Sequence, residues 1–583
     1  MNMYDTIERW RNGLQDDRQL SAELEALIRR EDEAALEDCF YRALTFGTGG
    51  MRGELGPGPN RMNRYTVRKA ALGLARYLNA TAEAARVVIA FDSRTNSDLF
   101  ATEAARTLVK EGVEVDLFSS LRPTPMLSFA VREREASAGI MITASHNPAE
   151  YNGLKVYGND GAQLTPEPAE QLITYVEAIE DELTIPIADE TELEEGGLIH
   201  TLSPEMDHRY NQALASVFRQ PEMGKEHGKD IQVVFSPLHG TALEPLKCAF
   251  EANGYTDVHI VPEQATPDPS FSTVTKPNPE EAEAFALAME LGRKQKADLL
   301  IATDPDADRL GVAVPDEQHD GGYRLLTGNE TGFLLLDYLL AQDTEGLPVN
   351  GKVLKTIVTS ESGRALADHY GVTCEDTLTG FKFIAEKMKR FEDGAEDGTF
   401  LFGYEESYGY LLAPFVRDKD AIQAALALTE MTLSEKRKGR TLTEKLAILY
   451  ERFGYYREEI ESITLKGKKG VEQIEALLTS LRKQPPLSFG EGQIVSVIED
   501  YERGEAITVK NGGKTPIHLP VSNVLKYKCE DESWVCVRPS GTEPKMKCYF
   551  GVKKPNPSAA HQALAELREV VMADINLRLS NFN

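Results

Sequence analysis

The chain has 583 residues, enough for roughly four domains at about 150 residues each. Its 64 basic and 93 acidic residues leave a formal charge of −29, a field that repels nucleic acid and anionic membranes and disfavours both as partners. An anionic small molecule is not excluded, because beyond about 10 Å the field is screened and a few cations inside a cleft set the local potential.

The first residues, Met1 to Arg9, carry charges and lack the apolar core of a signal peptide, and no uninterrupted apolar run approaches membrane-spanning length, so a soluble cytoplasmic protein is expected. Six cysteines (Cys39, Cys248, Cys374, Cys529, Cys536, Cys548) form no CxxC pair or zinc spacing, which points to reduced, structural thiols.

A first segment, residues 1–205, opens with helical patterning and then reads Phe46-Gly47-Thr48-Gly49-Gly50-Met51-Arg52-Gly53. This is not a dinucleotide loop, since Arg52 stands where the last glycine of GxGxxG belongs and no strand precedes it. Helical patterning around Ala70–Tyr77 leads to a strand at Val87–Ala90 that ends in Asp92-Ser93-Arg94, and another near Val115–Phe118 precedes Arg122-Pro123-Thr124-Pro125. The buried strand Ala138–Thr143 then runs into Ala144-Ser145-His146-Asn147-Pro148, where a turn presents one serine at the end of an open α/β sheet. A lone serine at such a junction is more often a cap than a nucleophile, so its company decides its reading.

A second segment, 206–322, repeats the grammar with strands at Ile231–Phe235, closing at Ser236-Pro237-Leu238-His239-Gly240, and at Val258–Val261. Its buried strand Ala297–Ala302 runs into Asp304-Pro305-Asp306-Ala307-Asp308-Arg309. A third, 323–455, has strands at Val353–Thr359 and Thr399–Phe402, with loops at Thr379-Gly380-Phe381-Lys382 and Gly403-Tyr404-Glu405-Glu406-Ser407-Tyr408-Gly409. The remainder, 456–583, reads as a linker followed beyond about 490 by short strands, a hairpin signal at Asn511-Gly512, the loop Arg538-Pro539-Ser540-Gly541-Thr542-Glu543-Pro544-Lys545 and an amphipathic helix around Ala559–Leu577. The fold expected is three similar mixed α/β domains with doubly wound sheets and a C-terminal α+β domain.

Asp304, Asp306 and Asp308 alternate, so in an extended loop their carboxylates would share one side and repel each other unless a cation holds them. A calcium hand fails, with Arg309 at position 6 and Pro315 at position 12; Mg²⁺ suits the set better. Glu405 and Ser407 together can bond vicinal sugar hydroxyls, and the Arg538 loop offers a guanidinium, hydroxyls and glycine-permitted amides for a phosphate.

In this order and wide spacing, the four stretches resemble the α-D-phosphohexomutase superfamily over nearly the whole chain, and are most similar to the phosphoglucomutase branch that also holds phosphopentomutases. The resemblance implies one central cleft, with Ser145 as the phosphoserine. It also implies Mg²⁺ on Asp304, Asp306 and Asp308 with Ser145, and Arg52, His146, Lys155 and Arg309 at the reacting end with Lys382. Glu405, Ser407 and Lys419 would bind sugar, and Arg538, Ser540, Gly541, Thr542 and Lys545 the non-reacting phosphate. Lys155 or His146 would be the general base. The implied activity interconverts glucose 1-phosphate and glucose 6-phosphate through glucose 1,6-bisphosphate, which also primes the enzyme. A phosphopentomutase, a sugar bisphosphate synthase and a non-catalytic Mg²⁺-dependent sugar-phosphate sensor are the competing expectations. The tyrosines at 404 and 408 depart from the Gly-Glu-x-Ser-Gly loop of many mannose and glucosamine relatives.

Overall fold

The computed structural model describes residues 3–582 apart from 48, 83, 203, 320, 343–345, 466, 491 and 540–544. Three helices (Met3–Gly13, Arg18–Arg29, Glu33–Phe40) pack around Trp10 ahead of the first sheet. That sheet contains β1 (Met51–Glu54), β2 (Arg86–Phe91), β3 (Glu114–Phe118), β4 (Ala138–Ile142), β5 (Tyr151–Gly158) and β6 (Ile199–Leu202), ordered β1-β5-β4-β2-β3-β6. Strands β4, β2, β3 and β6 are parallel neighbours, whereas β5 returns antiparallel to β4 and β1 antiparallel to β5. The run Ala-Gly-Ile-Met-Ile of β4 is buried throughout, as a strand covered on both faces must be. Helices Arg64–Thr81 and Ser97–Lys110 close the core beside it, the former started by a capping box between Asn63 and Thr66.

The second sheet repeats this plan. It is built from β7 (Val233–Ser236), β8 (Val258–Ile260), β9 (Leu299–Thr303), β10 (Leu310–Pro315) and β11 (Tyr323–Leu325), ordered β11-β10-β9-β7-β8. Strands β7, β8 and β9 are parallel, and β10 folds back antiparallel on β9. In both sheets the strand at one edge of the parallel run, β4 or β9, therefore enters a tight turn, and the next strand returns antiparallel beside it. Each turn contains one non-glycine residue with left-handed backbone, Ser145 (φ 52°) after β4 and Ala307 (φ 55°) after β9.

Two compact units divide the chain, residues 1–353 with 380–442 and residues 354–379 with 443–583. The second unit takes in the end of β12 (Gly351–Thr356) and all of β13 (Thr373–Thr377); the first takes β14 (Thr399–Glu405) and β15 (Gly409–Leu411). A third strand–turn–return joins β14 to β15, with Tyr408 left-handed at φ 64°.

The second unit is built on a seven-stranded antiparallel sheet: β16 (Tyr455–Thr464), β17 (Val495–Asp500), β18 (Glu505–Thr508), β19 (Gly513–Pro516), β20 (Leu525–Cys529), β21 (Trp534–Pro539) and β22 (Lys545–Lys554). Helices Gly467–Lys483 and Pro557–Ser580 share its core. The stretch after 455 is not the linker expected: β16 pairs with β22 along its whole length, and Ile474, Leu477, Leu478 and Leu481 join the core. The strand was hidden because Tyr-Tyr-Arg-Glu-Glu-Ile-Glu-Ser-Ile-Thr is half-exposed and charge-rich, leaving little apolar alternation to read. Among the described residues no helix is long and apolar enough to cross a membrane, and all six cysteines are free thiols, five of them buried.

Candidate active site

Ser145 is 3% exposed and sits where β4 gives way to the turn. Its hydroxyl donates to Asp304 Oδ2 at 2.6 Å and lies 3.2 Å from Nδ1 of half-buried His146. The three aspartates do not lie along an extended loop. They occupy a tight turn, closed by the Ala307 N–H on the Asp304 carbonyl and by the Asp308 and Arg309 N–H groups on Asp304 Oδ1. Left-handed Ala307 folds the chain so that one oxygen of each carboxylate still lies within 4.8 Å of the others.

Cations converge on this turn from separate elements. Lys155, delivered by β5, donates to Asp306 at 2.7 Å and to Asp308 at 3.2 Å. Lys419 stands 3.3 Å from Asp308 and 3.0 Å from Asp418. Arg309 pairs with Glu280. Burial raises all three carboxyls, but Lys155, Lys419 and Arg309 overcome it at Asp308, which stays far below the usual carboxylate range. Asp304 has burial and two carboxylate neighbours against it and lies well above that range. Burial pulls the Lys155 ammonium down, and Asp306 and Asp308 more than restore it, so Lys155 is a cation here. His146 is the reverse case: desolvation and the charges of Arg309 and Arg52 hold its pKa well below 6.5, leaving a neutral imidazole able to accept a proton. Of the two base candidates, His146 has the protonation state required.

The donor set fits a hard divalent cation. Asp306 Oδ1 and Asp308 Oδ1 are buried with no hydrogen-bond partner among the described residues, and three clustered carboxylates offer the oxygen ligands such an ion takes at about 2.0–2.6 Å. Such an ion needs its carboxylate ligands ionised, so affinity should fall with falling pH.

Glu405 ends β14, is 6% exposed and accepts the Gly380 N–H at 3.0 Å. Burial lifts its carboxyl to about 7, with Lys419 pulling against that rise. Ser407 lies in the β14–β15 turn, beyond the strand end at Glu405. Lys382, in the first turn of helix Phe381–Glu392, lines a cavity of about 530 Å³ with Tyr157, Gln163 and Glu386. Arg52 projects from β1 to Asn147 Oδ1 at 2.7 Å; β1 reaches β5 because Gly50 (φ 118°) has no Cβ, which would stand 1.9 Å from the Leu154 carbonyl oxygen. In the second unit, Arg538 stands one residue before the end of β21 and Lys545 starts β22. Ser540, Gly541 and Thr542 lie outside the described residues.

Sequence reasoning missed the supports of the aspartate turn. Thr124 donates its N–H to the Asp306 carbonyl and its hydroxyl to Asp306 Oδ2, each at 2.8 Å, and Thr241 donates twice to the Pro305 carbonyl at 2.9 Å. Both follow strand-end motifs visible in the sequence, but only the fold places them on the turn.

A buried serine hydroxyl on a carboxylate turn, ringed by lysines and arginines at the ends of parallel strands, defines an α/β enzyme of the phosphotransferase and isomerase class. Residues 43–183, 208–319 and 327–453 match, in order, alpha/beta/alpha domains I, II and III of the phosphoglucomutase/phosphomannomutase family. The chain belongs to that family, on its phosphoglucomutase side. A phosphoglucomutase of Staphylococcus aureus (strain bovine RF122 / ET3-1) is 39% identical over 530 residues, covering 90% of this chain and 93% of that protein. One from strain USA300 is 40% identical over 519 residues, with 89% and 91% covered. Among solved structures, a putative phosphomannomutase from Thermus thermophilus shares the fold at TM-score 0.66 and 22% identity, covering 91% of this chain and 99% of its own. The open form of Paramecium pp63/parafusin does so at 0.67 and 18%, covering 93% and 96%.

Proposed function

We propose that this chain is a phosphoglucomutase that interconverts α-D-glucose 1-phosphate and glucose 6-phosphate, with Ser145 as the phosphoryl carrier and glucose 1,6-bisphosphate as intermediate and primer. The observation that carries this reading is the Ser145–Asp304 hydrogen bond of 2.6 Å inside a group of cations formed by Lys155, Lys419 and Arg309. The names of the curated relatives support glucose as the sugar. Residues 1–205 would carry the phosphoserine, 206–322 the metal turn, 323–455 the sugar loop and 456–583 the loop for the non-reacting phosphate.

The transfer from phosphorylated Ser145 breaks the P–Oγ bond and forms a P–O bond to the sugar hydroxyl. His146 accepts the hydroxyl proton and returns a proton to Oγ, which its nitrogen approaches within 3.2 Å. Lys155, Lys419 and Arg309 are already oriented toward the turn and meet the charge that spreads over the transferring group, so little reorganisation accompanies the step. Asp304, Asp306 and Asp308, with Ser145 or its phosphate, would hold Mg²⁺, which supplies further charge neutralisation on the same group.

The sugar must bind in two orientations related by a half-turn, so that its 3- and 4-hydroxyls exchange places, and an ionised carboxylate accepts from either. Glu405 suits that task only above its pKa. With a carboxyl lifted to about 7, wild-type kcat/KM should fall roughly tenfold per pH unit below 7 and level off above it. Glu405→Gln should remove that limb and lower the plateau by about 10- to 150-fold, the loss of a charged hydrogen bond worth roughly 1.5–3 kcal/mol. A variant with the wild-type pH profile would clear Glu405 of the role. The sugar itself is tested by kcat/KM for glucose, mannose and ribose 1-phosphates, each with its bisphosphate primer; preference for ribose would make the chain a phosphopentomutase.

A further inference from the structure

The serine turn is gripped from beneath by one side chain that touches neither the aspartates nor His146 by hydrogen bond. Arg94, in the loop just beyond β2 and 3% exposed, donates from Nη2 to the carbonyls of Ser145 and Asn147, both at 2.5 Å. From Nη1 it donates to the carbonyls of Pro148 and Tyr151, at 2.8 and 2.9 Å. Its remaining donor, Nε, lies 3.5 Å from Asp92 Oδ2, and the guanidinium stacks over Phe271 with Cζ 4.9 Å from the ring centroid. Four of the five N–H groups of the fork hold the seven residues from Ser145 to Tyr151 in one shape, while Nε makes no hydrogen bond among the described residues.

The same carboxylate reaches Ser145 from its other side. Asp92 Oδ2 accepts the Thr143 hydroxyl at 2.6 Å, and Thr143 Oγ1 accepts the Ser145 N–H at 2.7 Å. Asp92 Oδ1 is held by Ser97 at 2.8 Å and by the Arg94 backbone N–H at 3.0 Å. Both peptide groups of Ser145 are therefore pinned, the carbonyl by Arg94 and the N–H by Thr143. This matters because Ser145 has φ 52°, a conformation a serine leaves readily when unrestrained, and leaving it would swing Oγ off Asp304.

We propose that Arg94, working with the Asp92–Thr143 arm, is the positioning residue that holds Ser145 in its left-handed conformation and so keeps Oγ in line for phosphoryl transfer. It acts through the serine loop and touches no reacting atom. A lysine would keep the charge but offer three donors on a single nitrogen, too few and too clustered for carbonyls spread over seven residues. The inference rests on Ser145 being the phosphoryl carrier.

The test compares Arg94→Lys, Thr143→Val and Thr143→Ser in steady-state turnover of glucose 1-phosphate and in single-turnover transfer from the phosphorylated protein, with melting curves recorded in parallel. Misplacement of a reacting atom by about 1 Å costs on the order of 10²-fold, so kcat and the single-turnover rate should fall by about that factor in Arg94→Lys and Thr143→Val while KM stays within about threefold. Thr143→Ser, which restores the hydroxyl, should recover most of the rate. Losses that track only the unfolded fraction, or a serine variant no better than valine, would overturn the proposal. If Arg94→Lys does not fold, the Thr143 pair decides alone. Ser145→Ala in the same assay separates the two ideas: activity there removes the carrier itself, whereas an inactive Ser145→Ala beside fully active Arg94→Lys and Thr143→Val removes only the clamp.

Discussion

Replacing Ser145 by alanine should leave a folded protein that has lost mutase turnover by on the order of 10⁴-fold or more, because the hydroxyl is the one acceptor the cycle can regenerate. Folding should survive. The side chain makes a single strong contact, to Asp304, and the backbone contacts that pin the turn, to Thr143 and Arg94, do not use it. Losing the hydroxyl also leaves Asp304 without that partner, so the melting temperature of the variant should move by only a few degrees, as expected for a loss of about 1 kcal/mol. The check is kcat for glucose 1-phosphate with excess bisphosphate primer. Turnover near the wild-type rate would mean that phosphate passes between sugar hydroxyls without the serine. A phosphate found on His146 in this variant would reassign the carrier.

The second large effect concerns the aspartate turn. Asp306→Asn keeps the shape of the side chain and can still accept from Thr124 or Lys155, but it removes one of three clustered charges. Residues that merely support a metal ligand already cost about 10- to 100-fold in affinity, so loss of a ligand charge should weaken divalent-cation binding by at least about 10². Stability gives a readout independent of turnover. At a Mg²⁺ concentration 100 times the wild-type Kd, binding stabilises the wild type by about 2.7 kcal/mol, whereas a variant bound 100-fold more weakly gains only about 0.4 kcal/mol. Thermal unfolding with and without Mg²⁺ therefore separates the two proteins. An equal gain in both would show that the turn is not the cation site, whatever happens to activity.

Much of this site could be read in the sequence because its parts stand at strand ends, where a buried apolar run breaks into polar residues. Ser145 follows Ala-Gly-Ile-Met-Ile, and Asp304 follows Leu-Leu-Ile-Ala-Thr. The antiparallel returns were less legible: β5 and β10 are nearly as buried as the strands they fold against, and nothing local announces a reversal of direction. The left-handed residues escaped for a related reason. Serine, alanine and tyrosine carry no propensity for that conformation, which here is imposed by tertiary hydrogen bonds such as those of Arg94. Thr124, Thr241 and Asp92 act across separations in sequence that no window spans. Arg309 was placed at the reacting end by the family resemblance; its pairing with Glu280 depends on a loop whose course the sequence does not reveal.

The central claim is that Ser145 carries the phosphoryl group, and its most direct test is chemical. The purified protein is incubated with Mg²⁺ and glucose 1,6-bisphosphate, and its phosphorylation is measured by intact mass and by tandem fragmentation of the peptide containing Ala144-Ser145-His146-Asn147. A single acid-stable phosphate on Ser145, discharged when glucose 1-phosphate or glucose 6-phosphate is added, is the expected result. A protein that turns over substrate while Ser145 is never phosphorylated would contradict the account.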